Sequence, residues 1–339
     1  MIQFSKPSIS LSKANFKKVQ KIITSGWVSI GKNMEELENY FQKRFKVKYA
    51  IACSCATQGL TIAFKAAGWR NKRILVPSFT WPSTVYAIES NIGNTVVFCD
   101  IDPLTWLIDI DSVDKTSYDC IVAVDTFGNQ ADIKTNKPVI YDAAHGFDLP
   151  AIGNRGLVEV VSFSFTKIVS ASEGGMILTN DKNIAETCYE LRRLSARMGE
   201  INAVIALESI ANYKSNFQKK LKLIDNYRQL LKIEYVEQKI PEATNYSVFS
   251  ILVKNRNQIT EQLRKNSIEF KTYYEPLVEG LKHTDKVYSS ILSLPLYPAL
   301  TFKEQEEICR TINSSPSTTP GTTYLRKSGY LETFLQKQK

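Results

Sequence analysis

Seven short apolar runs alternate with helical patterns over the first 180 or so residues, and they restrict the chain to few folds. The runs are YAIAC (49–53), ILVP (74–77), VVFCD (96–100), CIVAVD (120–125), VIYD (139–142), VEVVSFS (158–164) and GMILTN (175–180). Each is apolar on successive residues rather than alternate ones, and each ends on polar or Pro punctuation. Strands buried on both faces of a parallel sheet have this composition. Between them lie amphipathic helices. Residues 13–25 carry Phe16, Val19, Ile22 and Ile23 at helical spacing and close on Gly26; residues 34–45 present Met34, Leu37, Phe41 and Phe45 as a stripe, with Asn33 as the expected N-cap. Further helices are expected over 57–67, stopped by Gly68, over 83–91 and over 181–194. Repeated βα units imply a mostly parallel α/β sheet covered by helices on both faces. Ligands bind such sheets at the carboxyl ends of the strands, which makes the residues just after each strand the ones to inspect.

Beyond residue 200 the pattern changes. A long helical stretch, INAVIALESIANYKSNFQKKLKLIDNYRQLL, leads to strand-like YSVFSILV (246–253), helical ITEQLRKNS (259–267), strand-like FKTYY (270–274) and helical FKEQEEICRTI (302–312). This mixture reads as a second, smaller α+β domain. The expected division is 1–230, 231–313 and a linker and tail at 314–339, with roughly the first twelve residues packed on the smaller domain. SSPSTTPGTT (314–323) has no means of packing a core, and the last sixteen residues either form one amphipathic helix or stay loose.

Composition excludes several classes. Hydrophobic residues make up 43% and charged residues 23% of 339, so the chain is neither disordered nor short of core. No apolar stretch is long enough to span a membrane, MIQFSKPSIS lacks the marks of a signal peptide, and the six cysteines read as reduced. A cytoplasmic protein is expected. Cys53-Ser54-Cys55 has no second ligand pair, so no metal is expected. The net charge of +9 raises the question of nucleic acid, and Lys214, Lys219, Lys220, Lys222, Arg228 and Lys232 gather in one stretch. Without a nucleic-acid-binding motif beside it, that run reads as the solvated face of a helix. An anionic small substrate suits the charge equally well.

The chemistry concentrates in 140–176, IYDAAHGFDLPAIGNRGLVEVVSFSFTKIVSASEGGM. Asp142 ends one strand, and Lys167 follows another. With Ser162 and Gly174-Gly175 nearby, these are the groups that pyridoxal phosphate chemistry requires. A lysine forms the Schiff base with the cofactor aldehyde, a carboxylate keeps the pyridine nitrogen protonated, and hydroxyls with backbone N–H groups hold the phosphate.

Several motifs in order resemble the fold-type I, pyridoxal-phosphate-dependent sugar-nucleotide aminotransferases of the DegT/StrS family, over roughly residues 1–313. SGWVSIGKNMEELENYF (25–41) is similar to the family's N-terminal signature. CATQGLTIAFKAAG (55–68) resembles its phosphate-binding turn, which implies Thr57 and the Gln58 N–H on the phosphate. PSFTWPSTVYAI (77–88) implies Trp81 stacked on the ring, DAAHGFD (142–148) implies Asp142 on the pyridine nitrogen with His145 near the phenolic oxygen, and SFSFTK (162–167) implies Ser162 on the phosphate and Lys167 as the Schiff-base lysine. VDTFGNQADI (124–133), SEGGM (172–176), RMGEINAVIAL (197–207) and LPLYPALT (294–301) complete the likeness. Two features depart from it. Ile168 stands where the family has Asn, and the loop before Arg197 that reaches a partner subunit is reduced to LRRLSA (191–196), with Ser195 the nearest counterpart of its phosphate-contacting Asn.

The resemblance implies a large domain with a mostly parallel seven-stranded sheet plus a small α+β domain, and a homodimer. It implies transfer of an amino group, from L-glutamate, to a keto group of a nucleotide-linked deoxysugar in surface-polysaccharide or glycan biosynthesis. Lys271, Tyr273 and Tyr274 in KTYYEPL are expected against the sugar, with only one of the two tyrosines facing it, and Arg197 is a further substrate candidate. The same segment is more similar to the version found in several 4-amino-4,6-dideoxysugar enzymes than to that of many 3-aminotransferases, which implies amination at C4 of a 4-keto-6-deoxyhexose in preference to C3. Other classes are a dehydratase or regulator with the same cofactor, and a non-catalytic basic scaffold or nucleic-acid binder. In the dehydratase branch a histidine replaces the lysine, and Lys167 argues against it.

Overall fold

In the computed structural model the described residues are 1–7 and 11–315, so all but the first two residues of the expected linker and tail at 314–339 lie outside them. The first part of the chain runs α1 (Lys13–Ser25), α2 (Lys32–Phe45), β1 (Tyr49–Cys53), α3 (Ala56–Ala66), β2 (Arg73–Pro77), α4 (Pro82–Glu89), β3 (Thr95–Cys99), β4 (Cys120–Val124), β5 (Val139–Asp142), β6 (Val158–Ser162), β7 (Gly175–Thr179) and α5 (Lys182–Ser195). Its strands form one seven-stranded sheet in the order β1-β7-β6-β5-β4-β2-β3. Every pairing is parallel except the two made by β7. Both faces are buried, as the continuous apolar runs require. On β1, Ala50 and Ala52 face the cluster of Met34, Leu37 and Phe41, while Ile51 and Cys53 face Leu60, Phe64 and Ile184. All six cysteines are free.

The start of α2 departs from the expectation. The helix begins at Lys32 with Gly31 at the cap, and Asn33 is not the N-cap. Its orphan donors go instead to Glu200, the first residue of α6 (Glu200–Leu230). Oε1 accepts the N–H groups of Gly31 (3.1 Å) and Met34 (2.8 Å), and Oε2 accepts Asn33 N (3.0 Å) and Nδ2 (2.7 Å). A carboxylate from a distant helix thus replaces the local cap.

Helix α6 then carries the chain to β8 (Val236–Glu237), β9 (Phe249–Leu252), α7 (Arg256–Lys265), α8 (Lys282–Ser290), β10 (Ile291–Leu294) and α9 (Phe302–Asn313). The three strands form an antiparallel sheet, β10-β9-β8, whose core combines Ile251, Leu263, Leu292, Ile308 and Ile312 with Leu223 and Tyr227 of α6. The expected strand FKTYY is irregular, with a single bridge between Lys271 and Ser293. The basic run on α6 is only partly a solvated face. Lys214, Lys219 and Lys222 are exposed, but Lys220 is buried.

Two tethers fasten the smaller sheet to the larger. Asp100, just past β3, caps α8 by accepting the N–H groups of His283 and Thr284 and the Thr284 hydroxyl, each at 2.8 Å. Ser78, just past β2, exchanges hydrogen bonds with the Val278 backbone. The N-terminal segment also lies on the smaller part. Ile2 bridges to Ile268, and Phe4 N–H donates to Glu269.

Candidate active site

The ends of β5 and β6 open into a cavity of about 580 Å³ that holds both expected reactive groups, Asp142 and Lys167. Asp142 is the last residue of β5, so its position is set by the sheet itself. One carboxylate oxygen accepts from the Thr84 hydroxyl on α4 (2.6 Å) and the other from Ala144 N (3.1 Å). Burial nevertheless pushes its pKa above the usual carboxylate range, outweighing these two hydrogen bonds and the charge of the nearby Lys167.

Lys167 lies on the 163–174 connection between the adjacent antiparallel strands β6 and β7, and that connection is pinned at its ends. Phe163 N–H donates to the Gly174 carbonyl, and Ala171 N–H donates to the Phe163 carbonyl. Burial lowers the Lys167 ammonium to about 8, opposed by the negative charge of Asp142. Its Nζ stands 2.8 Å from His145 Nε2. His145 is held on its other side by Ser247, whose Oγ is 2.6 Å from Nδ1, and the Tyr274 hydroxyl is 3.3 Å from Nε2. Burial and then the Lys167 and Lys220 ammoniums hold this imidazole well below its ordinary pKa, so it is neutral at physiological pH.

Thr57, Ser162, Cys55 and Ala56 line the far end of the cavity, at the N-terminus of α3. That end is formed by close approach: a Cβ on Gly175 would lie 2.9 Å from Ala56 N and 3.0 Å from the Cys55 carbonyl carbon. Only glycine on β7 lets the helix start come so near the sheet. Gln58 sits in the first turn of α3 but does not line the cavity. The side walls are aromatic. Trp81, at the cap of α4 and 55% exposed, meets Tyr273 edge-on at 6.1 Å, and Tyr274 stacks on Phe127 at 5.1 Å.

Both tyrosines line the cavity, which departs from the expectation that strand alternation would turn one of them away. The segment is not a regular strand, so alternation does not apply. Lys271 reaches the rim and is exposed. Arg197 is exposed and does not line the cavity. Sequence reasoning missed Thr84, Ser247, Phe4 and Glu269. Thr84 stood two residues past Pro82 in a segment already singled out, whereas nothing local marks Ser247. Among the described residues no group of three or more His, Cys, Asp or Glu side chains is placed to hold a metal ion, and no helix is long and apolar enough to cross a membrane.

Comparison with known proteins adds independent findings. Residues 10–313 match the sequence family described as the DegT/DnrJ/EryC1/StrS aminotransferase family. The chain is 24% identical over 341 residues to a 3-oxo-glucose-6-phosphate:glutamate aminotransferase of Bacillus subtilis (strain 168), covering 85% of this chain and 77% of that one. It is 24% identical over 355 residues to a GDP-perosamine synthase of Escherichia coli O157:H7, covering 90% and 96%. The crystal structure of NtdA from Bacillus subtilis with bound PMP superposes with a TM-score of 0.81 at 23% identity, covering 89% of this chain and 82% of that one. That likeness establishes the fold.

Proposed function

The chain belongs to the DegT/DnrJ/EryC1/StrS aminotransferase family, and from that premise and the cavity geometry we propose a pyridoxal-phosphate-dependent transaminase acting on a keto group of a nucleotide-linked sugar. The carrying observation is the convergence of Asp142 and Lys167 on one buried cavity at the carboxyl ends of β5 and β6.

The residues present fit the cofactor. Asp142 is a buried carboxylate whose pKa burial raises despite the nearby Lys167 charge, and a protonated pyridine nitrogen beside it would favour its anionic form. Thr57, Ser162 and the N–H groups at the start of α3, Gln58 included, would hold a phosphate. Trp81 would cover the ring face, and His145 would stand at the phenolic oxygen. When bound, the cofactor supplies an aldehyde that condenses with amines and a ring that delocalises the electron pair left by a broken Cα–H bond.

The chain supplies the rest. Lys167 would act as the general acid–base that moves the proton at the substrate carbon, and its burial-lowered pKa near 8 suits a group that both gives and takes a proton near neutral pH. Asp142 would hold the ring nitrogen and supply the negative charge that keeps it protonated, an electrostatic contribution that needs no reorganisation. Tyr273, Tyr274 and Trp81 would offer apolar faces to a deoxysugar, with the Tyr273 hydroxyl as a polar contact. Lys271 at the rim would meet the phosphates. L-Glutamate is the proposed donor, C4 of a 4-keto-6-deoxyhexose the proposed acceptor, and surface-polysaccharide or glycan sugar biosynthesis in the cytoplasm the proposed setting. The division expected from the sequence, 1–230 and 231–313, is retained, as is a homodimer.

The test is a half-reaction. The protein loaded with the amino form of the cofactor is mixed with 3- and 4-keto-6-deoxysugar nucleotides and with a keto sugar phosphate. Return of the yellow absorbance is expected with the 4-keto nucleotides, with product NMR placing the amine at C4. Return with none of the sugars overturns the function, and an amine at C3 overturns the regiochemistry alone.

A further inference from the structure

Lys220 is a lysine that the proposed chemistry does not use, yet it is buried within reach of the site. It projects from the middle of α6 with 4% of its surface exposed, and its Nζ donates to the Ser247 carbonyl at 3.1 Å. Burial lowers its pKa to about 7 with no carboxylate to offset the cost. A leucine or methionine would pack there without that penalty, so the amine calls for a local reason.

Ser247 supplies one. Its N–H donates to the Phe127 carbonyl (3.1 Å) and its C=O accepts from Lys220, so its main chain is held on both sides. Its hydroxyl then stands 2.6 Å from His145 Nδ1, and the opposite ring nitrogen faces Lys167 at 2.8 Å. Four residues from four separate segments thus form one line: Lys220, Ser247, His145, Lys167. Both neighbours of Nε2, the Lys167 amine and the Tyr274 hydroxyl, carry hydrogens to donate. Below its pKa of about 8 the Lys167 ammonium has no lone pair, so Nε2 accepts from it and Nδ1–H donates to the Ser247 hydroxyl. The charged and titratable groups facing this imidazole are Lys167 from the β6–β7 connection, Lys220 from α6 behind Ser247, and Tyr274, with Asp142 at the end of β5 acting through Lys167 and Tyr274.

We propose that Lys220 is a positioning residue for the reaction. By fixing the Ser247 carbonyl it sets the Ser247 hydroxyl against His145 Nδ1, and so keeps Nε2 free to accept from the reactive amine of Lys167. The proposal rests on the reading of Lys167 as that amine. It acts on the imidazole through one intervening residue, the way outer hydrogen-bond partners orient a liganding histidine.

The chain has two histidines, so protein labelled with 15N-histidine gives one set of ring signals for His145 and a built-in control from His283. In the cofactor-free protein His145 is expected as a single Nδ1-protonated tautomer that does not titrate between about pH 5.5 and 8. In Lys220→Met, and equally in Ser247→Ala, the Nε2-protonated tautomer gains population while His283 is unchanged. Loaded with cofactor, both variants lose on the order of 10-fold in kcat with KM for the amino donor within about twofold, and Lys220→Arg restores the His145 signals. A folded Lys220→Met with wild-type His145 signals overturns the proposal. If that variant does not fold, wild-type His145 signals in Ser247→Ala overturn it. Failure of the wild type to turn yellow with pyridoxal phosphate would overturn the transaminase reading instead, and the histidine signals report independently of it.

Discussion

Asp142→Asn should still take up cofactor yet lose on the order of 100-fold or more in turnover, because the amide cannot sustain charge on the ring nitrogen. Near-normal turnover in that variant would remove Asp142 from its role. Lys167→Ala should fold and lose the yellow, borohydride-reducible absorbance entirely. Asp142 was legible because an apolar run stops on it at a strand end, a local signal, whereas Lys167, a few residues past another strand, was legible through its SFSFTK context. Lys220 was not legible. It sits in a run of basic residues whose spacing is that of a solvated face, and its burial comes with a hydrogen-bond partner, Ser247, that lies 27 positions later. A pH signature follows for the cofactor-free protein. Lys167 and Lys220 hold protons more weakly when folded, at about 8 and about 7, than the 10.5 of a free lysine. Between those values and 10.5 the unfolded chain binds more protons, so these lysines make stability rise with pH across that window; below it both states are protonated and the cost is constant. Urea titrations should therefore show the stability of Lys220→Met relative to wild type falling steadily from about pH 7 to 9.5. A pH-independent difference would mean that Lys220 is not desolvated as described.

At the scale of elements, the cap of α2 carries the clearest prediction. Glu200 receives four hydrogen bonds from the first turn and its flank, and it is buried. Glu200→Ala strands those donors and should cost about 3 kcal/mol in urea unfolding at unchanged slope. A loss below about 1 kcal/mol would mean that water or Asn33 takes over the cap. The helix itself was legible from Met34, Leu37, Phe41 and Phe45, but its cap was not, since the capping group lies more than 160 residues away in sequence. The same limit explains the smaller sheet. FKTYY has strand composition, yet Tyr274 is drawn onto Phe127 and Phe79 of the larger part, and that tertiary packing leaves the segment irregular. Helix α8, with Thr284 and Val287 its only buried residues, offers too short a stripe to detect.

For the whole molecule, a homodimer is expected, and light scattering at low micromolar concentration should report twice the 38.4 kDa chain mass. Trp27 and Val28 ahead of α2, and Trp81 and Phe165 at the cavity mouth, are exposed aromatic or aliphatic side chains of the kind that a second copy covers. A single 38 kDa species would rule the dimer out. The shortened 191–196 segment bears on the same question, because it leaves less chain to reach a partner's cavity, and Arg197 is exposed and does not line its own. The tether of α8 to Asp100 has a kinetic consequence. With the two sheets fastened by that carboxylate and by Ser78, a hinge between them is expected to stay closed through turnover, leaving passage into the cavity to fast motions of rim side chains such as Lys271. Turnover should then be indifferent to solvent viscosity, whereas Asp100→Ala, which loosens the joint, should make kcat fall as sucrose is added.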